Sequence, residues 1–164
     1  MDYRIVEQPS FQVVGKTLRV STSHGENQRR IPQFWDECDA DGTLRQLEAL
    51  TGKATVLPGV LLGICIDFAA DMSEFTYMCA AEAPGEGVPD GMVRRPIPAG
   101  SWAVFEGRGA LPEAIQTLWG RIWSEFFKES QFKHGDGPEL ELYPEGDHSQ
   151  PDYQFELRIP VVPK

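Results

Sequence analysis

The sequence predicts an α+β fold built from two strand–helix–strand–strand units in tandem, with antiparallel sheets and a central groove between the units. Three observations carry this reading. The order of strand-like and helix-like runs appears twice along the chain. Each pass contains one apolar stripe at helical spacing, first Ile31, Phe34, Trp35 and Cys38, then Ile115, Leu118, Trp119, Ile122 and Phe126. Between the passes lies Ala83-Pro-Gly-Glu-Gly-Val-Pro-Asp-Gly91, a glycine- and proline-rich seam. The chain therefore reads as one domain of two pseudo-repeats, residues 1–83 and 92–164.

In the first repeat, alternating residues predict strands over 3–7 and 11–21, and the polar stretch Ser21 to Arg30 reads as a loop. The stripe beginning at Ile31 predicts the main helix. A further helical turn holds Leu44, Leu47 and Leu50 and stops near Gly52. Strands follow over Val60 to Phe68 and Glu74 to Ala81. In the second repeat a short strand over Met92–Ile97 precedes Gly100–Glu106. The next helix opens at Pro112 and Glu113, a proline and an acid suited to a first turn. Strands over Glu139–Tyr143 and Tyr153–Val161 close the chain, with a polar hairpin loop from Pro144 to Asp152.

Composition narrows the function classes. The 164 residues carry 15 Lys and Arg against 25 Asp and Glu, for a net charge of −10. Such a chain lacks the basic footprint of a nucleic-acid binder and instead favours cationic ligands or basic partner surfaces. With a mean hydropathy of −0.33 and no long apolar run, neither a membrane span nor a secretory leader is expected. Cys38, Cys65 and Cys79 sit in apolar surroundings without a C-x-x-C pair and read as reduced core thiols of a cytoplasmic protein. His24, His134 and His148 have no ligand-like spacing and read as surface histidines. No nucleotide loop, nucleophile elbow or metal motif is present, so neither metal nor cofactor is expected.

Strand parity supplies the candidate site. In Glu139–Tyr143, Leu140 and Leu142 point one way and are expected to meet the helix, while Glu139, Glu141 and Tyr143 point the other, with Glu141 and Tyr143 expected to line the groove. A buried carboxylate without a partner is costly, so Glu141 is suited to hold a cation or to act as a general acid. In the last strand Tyr153, Phe155, Leu157 and Ile159 share one face; Glu156 lies on the other beside Arg158, as an exposed ion pair or a further ligand contact. Trp102 and Tyr77 are candidates for an aromatic wall, where a cation–π contact would reinforce the carboxylate. Parity leaves open which face each takes. Trp119 reads as helix core.

The stretch Ile97-Pro-Ala-Gly-Ser-Trp-Ala-Val-Phe-Glu-Gly-Arg-Gly109, the helix with Trp119 and Ile122, Pro138-Glu-Leu-Glu141-Leu-Tyr143, and the closing Leu157-Arg-Ile-Pro160-Val resemble the GyrI-like small-molecule-binding family. Phe11-Gln-Val-Val-Gly15 with Phe34-Trp35 looks like the matching first half. The family includes the effector-binding domains of AraC- and MerR-type multidrug-responsive regulators. The resemblance implies a groove for lipophilic, often cationic, aromatic compounds, with Glu141 as the acidic determinant, Tyr143 beside it, and Trp102 in a slot usually held by tyrosine. With strands beginning at residue 3, the chain is expected to be a stand-alone binding domain without DNA-binding helices. Two alternatives accompany that reading. One is a metal-independent hydrolase of a reactive toxin using Glu141; the other is a protein-interaction module of the gyrase-inhibitor kind.

Overall fold

A computed structural model describes residues 1–164. Alternation of apolar and polar residues sets β1 (Arg4–Gln8) and β2 (Phe11–Ser21). Helices α1 (Glu26–Ala40) and α2 (Thr43–Thr51) follow, then β3 (Val60–Ile66) and β4 (Glu74–Glu82). The second half contains β5 (Val93–Ile97), β6 (Gly100–Arg108) and α3 (Glu113–Arg121), which runs on through a π turn at Ile122–Phe126 into Phe127–Glu129. Strands β7 (Phe132–His134), β8 (Glu139–Pro144) and β9 (Gln154–Pro163) end the chain. The fold is α+β, as the sequence predicts.

The strands form one nine-stranded sheet in the order β1-β6-β9-β8-β3-β4-β2-β5, with β7 added on β9. Each half contributes a block whose first strand pairs with its third and whose third pairs with its second. The blocks meet where β3 and β8 pair antiparallel, so the two expected sheets are continuous. The leading strands cross over: β1 pairs with β6, and β5 with β2.

Both faces of the curled sheet are covered. On one face α1, α2 and α3 bring Phe34, Cys38, Leu47, Ile115, Ile122 and Phe126 against Val14, Cys79, Phe105, Phe155 and Leu157. The other face has its own core, including Leu62, Ile64, Met78, Ile97, Leu140 and Leu142. This corrects one expectation: Leu140 and Leu142 pack away from the helices, and Glu139, Glu141 and Tyr143 face them. A sheet buried on both faces carries apolar residues at both parities, so the more apolar face of β8 was not the helix-facing one.

Two further differences are local. The stretch expected as a loop to Arg30 is helical from Glu26, because its polar residues form the solvent side of α1's first turns. β7 was not expected; three residues are too few to show a period.

The loop between α2 and β3 is pinned by a buried carboxylate. Glu82, 2% exposed, accepts from the backbone N–H groups of Thr55, Val56 and Leu57 at 2.9, 3.0 and 2.6 Å. Burial pushes its pKa up, but these donors outweigh that and hold it below the ordinary value. Stability from such a depressed carboxyl is present above the unfolded pKa and lost as pH falls through the folded one. Glu82→Ala is expected to lower unfolding free energy by about 2–4 kcal/mol at neutral pH. Denaturant titrations should show the gap to wild type shrinking in acid.

Candidate ligand-binding site

Where β3 and β8 meet, Gly63 lies opposite Glu141, Leu61 opposite Tyr143 and Cys65 opposite Glu139. On the other side of β3, Tyr77 of β4 lies opposite Cys65. The bare Cα of Gly63 lets the side chains of its neighbours converge above it. A Cβ built there would lie 2.2 Å from both Glu141 Oε1 and Tyr77 Oη.

The side chains that converge form a directional network ending on Glu141. Trp35 Nε1 of α1 donates to Tyr77 Oη at 2.8 Å, and Tyr77 Oη donates to Glu141 Oε1 at 2.5 Å. Tyr143 Oη donates to the same oxygen at 3.0 Å. From α3, Trp119 Nε1 donates to Oε2 at 3.0 Å. Trp35 also sets its edge against the Tyr143 ring, 5.2 Å away between centroids. Three neutral donors thus meet a carboxylate that is 5% exposed, and no Lys or Arg pairs with it.

Burial pushes the Glu141 carboxyl above the ordinary range, and the hydrogen bonds from Tyr77, Trp119 and Tyr143 only partly offset this. Burial beside Glu141 likewise drives the Tyr77 and Tyr143 hydroxyls well up, so both remain protonated donors. Cys65 is pushed up for the same reasons and is an inert thiol.

Above this floor lies a cleft of about 1180 Å³ between α1 and α3. Trp35, Trp119, Trp123, Phe68, Phe75 and Tyr143 contribute its aromatic surface. Seven acidic side chains line it, with Glu139 and Glu141 buried and Asp36, Glu48 and Asp147 among the exposed ones; no Lys or Arg does. Low-dielectric walls with carboxylates of one sign concentrate a field that attracts cations.

Of the residues singled out in the sequence, the structure brings Glu141, Tyr143 and Tyr77 together. It does not bring Trp102 or Glu156 to the cleft. Ala103 and Phe105 take the helix side of β6, so Trp102 points into the opposite core, 1% exposed. Glu156 pairs with Arg4 at 3.0 Å and Arg158 at 3.1 Å, away from the cleft lining.

Trp119 packs on the core as expected, and it also lines the cleft and donates to Glu141. Trp35, Gly63, Glu139 and His134 join the site without having been singled out in the sequence. His134 lies on β7 against Glu139, not in a loop, whereas His148 is an exposed loop histidine as expected, at the edge of the cleft beside Tyr153. One signal was available: Ile31, Trp35 and Cys38 recur at the same spacing as Ile115, Trp119 and Ile122.

The site is thus an aromatic, acid-lined cleft set over a buried carboxylate, and similarity to known proteins places the chain among effector-binding proteins. The chain belongs to the Cass2 family of integron-associated effector binding proteins, whose pattern it matches over residues 4–161. It is 30% identical over 164 residues to the transcriptional regulator BrlR of Pseudomonas aeruginosa, a match covering 98% of this chain and 56% of BrlR. The chain therefore spans about half the length of that relative. The structure of SAV2435 bound to tetraphenylphosphonium superposes with a TM-score of 0.85 at 25% identity, over 99% of this chain and 94% of that one. The Vibrio cholerae integron cassette protein VCH_CASS2 shares the fold, with a TM-score of 0.68 at 18% identity over 98% and 95% of the two chains. No helix of this chain is long and apolar enough to cross a membrane.

Proposed function

We propose that the cleft binds lipophilic aromatic cations, with the ionised Glu141 carboxylate as counter-charge and Trp35, Trp119 and Tyr143 as walls. The observation that carries this reading is the state of Glu141: buried, held in place by uncharged donors, and without a protein cation. Tyr77, Tyr143 and Trp119 fix the carboxylate's position before a ligand arrives, which lowers the ordering cost of binding. SAV2435, of the same fold, binds a phosphonium ion, a cation with no hydrogen-bond donor. Such a ligand suits an aromatic cleft whose polar demand is charge alone.

Titration of tryptophan fluorescence with tetraphenylphosphonium and with neutral triphenylphosphine oxide tests this reading. The cation is expected to bind at least about tenfold more tightly, as loss of one desolvated charge contact demands. Its affinity should fall in acid, as protonation of Glu141 removes the counter-charge above the ordinary glutamate range. Equal affinity for both compounds at all pH values would refute a charge-anchored cleft.

A further inference from the structure

A second carboxylate lies on the same face of β8 as Glu141. Glu139 is 6% exposed and lines the cleft floor. Two residues along a strand place the two carboxyl groups about 7 Å apart at their backbone roots. Their partners differ in kind. Glu141 meets three neutral donors, whereas Glu139 has one partner, His134 Nε2 at 3.1 Å from Oε2.

The other nitrogen of that ring decides what the contact is. His134 Nδ1 lies 2.6 Å from the Gly135 carbonyl oxygen, which can only accept, so Nδ1 carries a proton. In the neutral ring Nε2 is then a bare lone pair facing a carboxylate oxygen, and the contact is repulsive. It becomes favourable when a proton lies between Nε2 and Oε2, and with both ring nitrogens protonated it is an imidazolium–carboxylate pair. The indole of Trp123 stacks on the ring, 5.8 Å away and 5° from parallel, which also favours the cation. Around His134 the charged groups are Glu139 from β8 and Asp136 from the following turn; α3's extension offers Trp123 and Phe127, and β9 offers Val161. Around Glu139 stand Cys65 of β3, a protonated thiol, and Glu141.

We propose that Glu139 is a second cation-binding position in the cleft, occupied by the protonated His134 ring and released when that ring loses its proton. The cleft would then take aromatic dications as well as monocations, with the second charge replacing the imidazolium. The proposal rests on the reading that Glu141 anchors a lipophilic cation. Burial works against the His134 charge, but its bonds to Glu139 and to the Gly135 carbonyl outweigh that and hold its pKa above the ordinary histidine value.

The test compares benzamidine with its para bis-amidinium counterpart across the histidine titration range, for wild type, Glu139→Gln and Glu141→Gln. One proton leaves His134 for each dication bound. The ratio of dication to monocation affinity should therefore rise with pH, approaching about tenfold per pH unit below the His134 pKa and levelling above it. Glu139→Gln should flatten that ratio. On the wild type alone, NMR titration of the His134 ring should show its apparent pKa falling with saturating dication and unmoved by benzamidine. A ratio independent of pH, a ratio unchanged in Glu139→Gln, or an unmoved His134 overturns the proposal. If Glu141→Gln still weakens benzamidine in that case, the anchoring role of Glu141 survives. If Glu141→Gln leaves benzamidine binding intact, both fall together.

Discussion

Glu141→Gln is expected to weaken tetraphenylphosphonium binding by at least about thirtyfold while leaving the chain folded. The substitution keeps the shape of the side chain and removes its charge. The loss is that of a desolvated charge pair, about 2–5 kcal/mol. A neutral compound of similar size should change by less than about threefold, since it uses only the aromatic walls. Fluorescence titration reads both, because Trp35 and Trp119 lie at the site. The same substitution has a signed effect on stability. The Glu141 carboxyl is raised in the folded state, so its contribution is greatest below the unfolded pKa and declines as pH rises through the folded one. Thermal unfolding of Glu141→Gln should therefore improve relative to wild type as pH rises from the acid side. Its absolute level also reflects the carboxamide N–H₂, which turns a donor toward groups that are themselves donors.

Gly63→Ala is expected to damage both folding and binding, although it adds one methyl group. The new carbon would stand 2.2 Å from Glu141 Oε1 and from Tyr77 Oη, far inside contact distance. β3 cannot shift to relieve this, because it is paired on both sides, by β4 and by β8. The carboxylate and the phenol must separate, breaking a charge-assisted hydrogen bond worth about 1.5–3 kcal/mol. Strain from the added volume costs about 1–3 kcal/mol more. Denaturant melts should show the combined loss, and the surviving folded fraction should bind tetraphenylphosphonium at least about tenfold more weakly. Wild-type affinity in Gly63→Ala would mean that the Tyr77–Glu141 bond does not position the anchor.

The strand and helix blocks of the fold and the centre of the candidate site were legible because each left a periodic trace. The stripes through Trp35 and Trp119 have helical spacing, and Glu141 with Tyr143 alternates against two leucines. What failed was the assignment of faces. Trp102 was open to either side because a strand buried on both faces has no polar parity to orient it. Trp119 was assigned to core alone because periodicity marks a stripe without showing that one member reaches past the packing to an oxygen on β8. Gly63 stands in an apolar run and acquires meaning only from its place between Tyr77 and Glu141, which is a matter of strand order. The Glu139–His134 pair depends on β7, too short to announce itself.

An NMR titration of the Glu141 carboxyl carbon, with and without tetraphenylphosphonium, observes directly the counter-charge proposed for the ligand. In the free protein the carboxyl should titrate above the ordinary glutamate range, and the bound cation should bring its pKa down, since a neighbouring positive charge favours the ionised form. A Glu141 pKa that does not move when tetraphenylphosphonium saturates the protein would contradict the account.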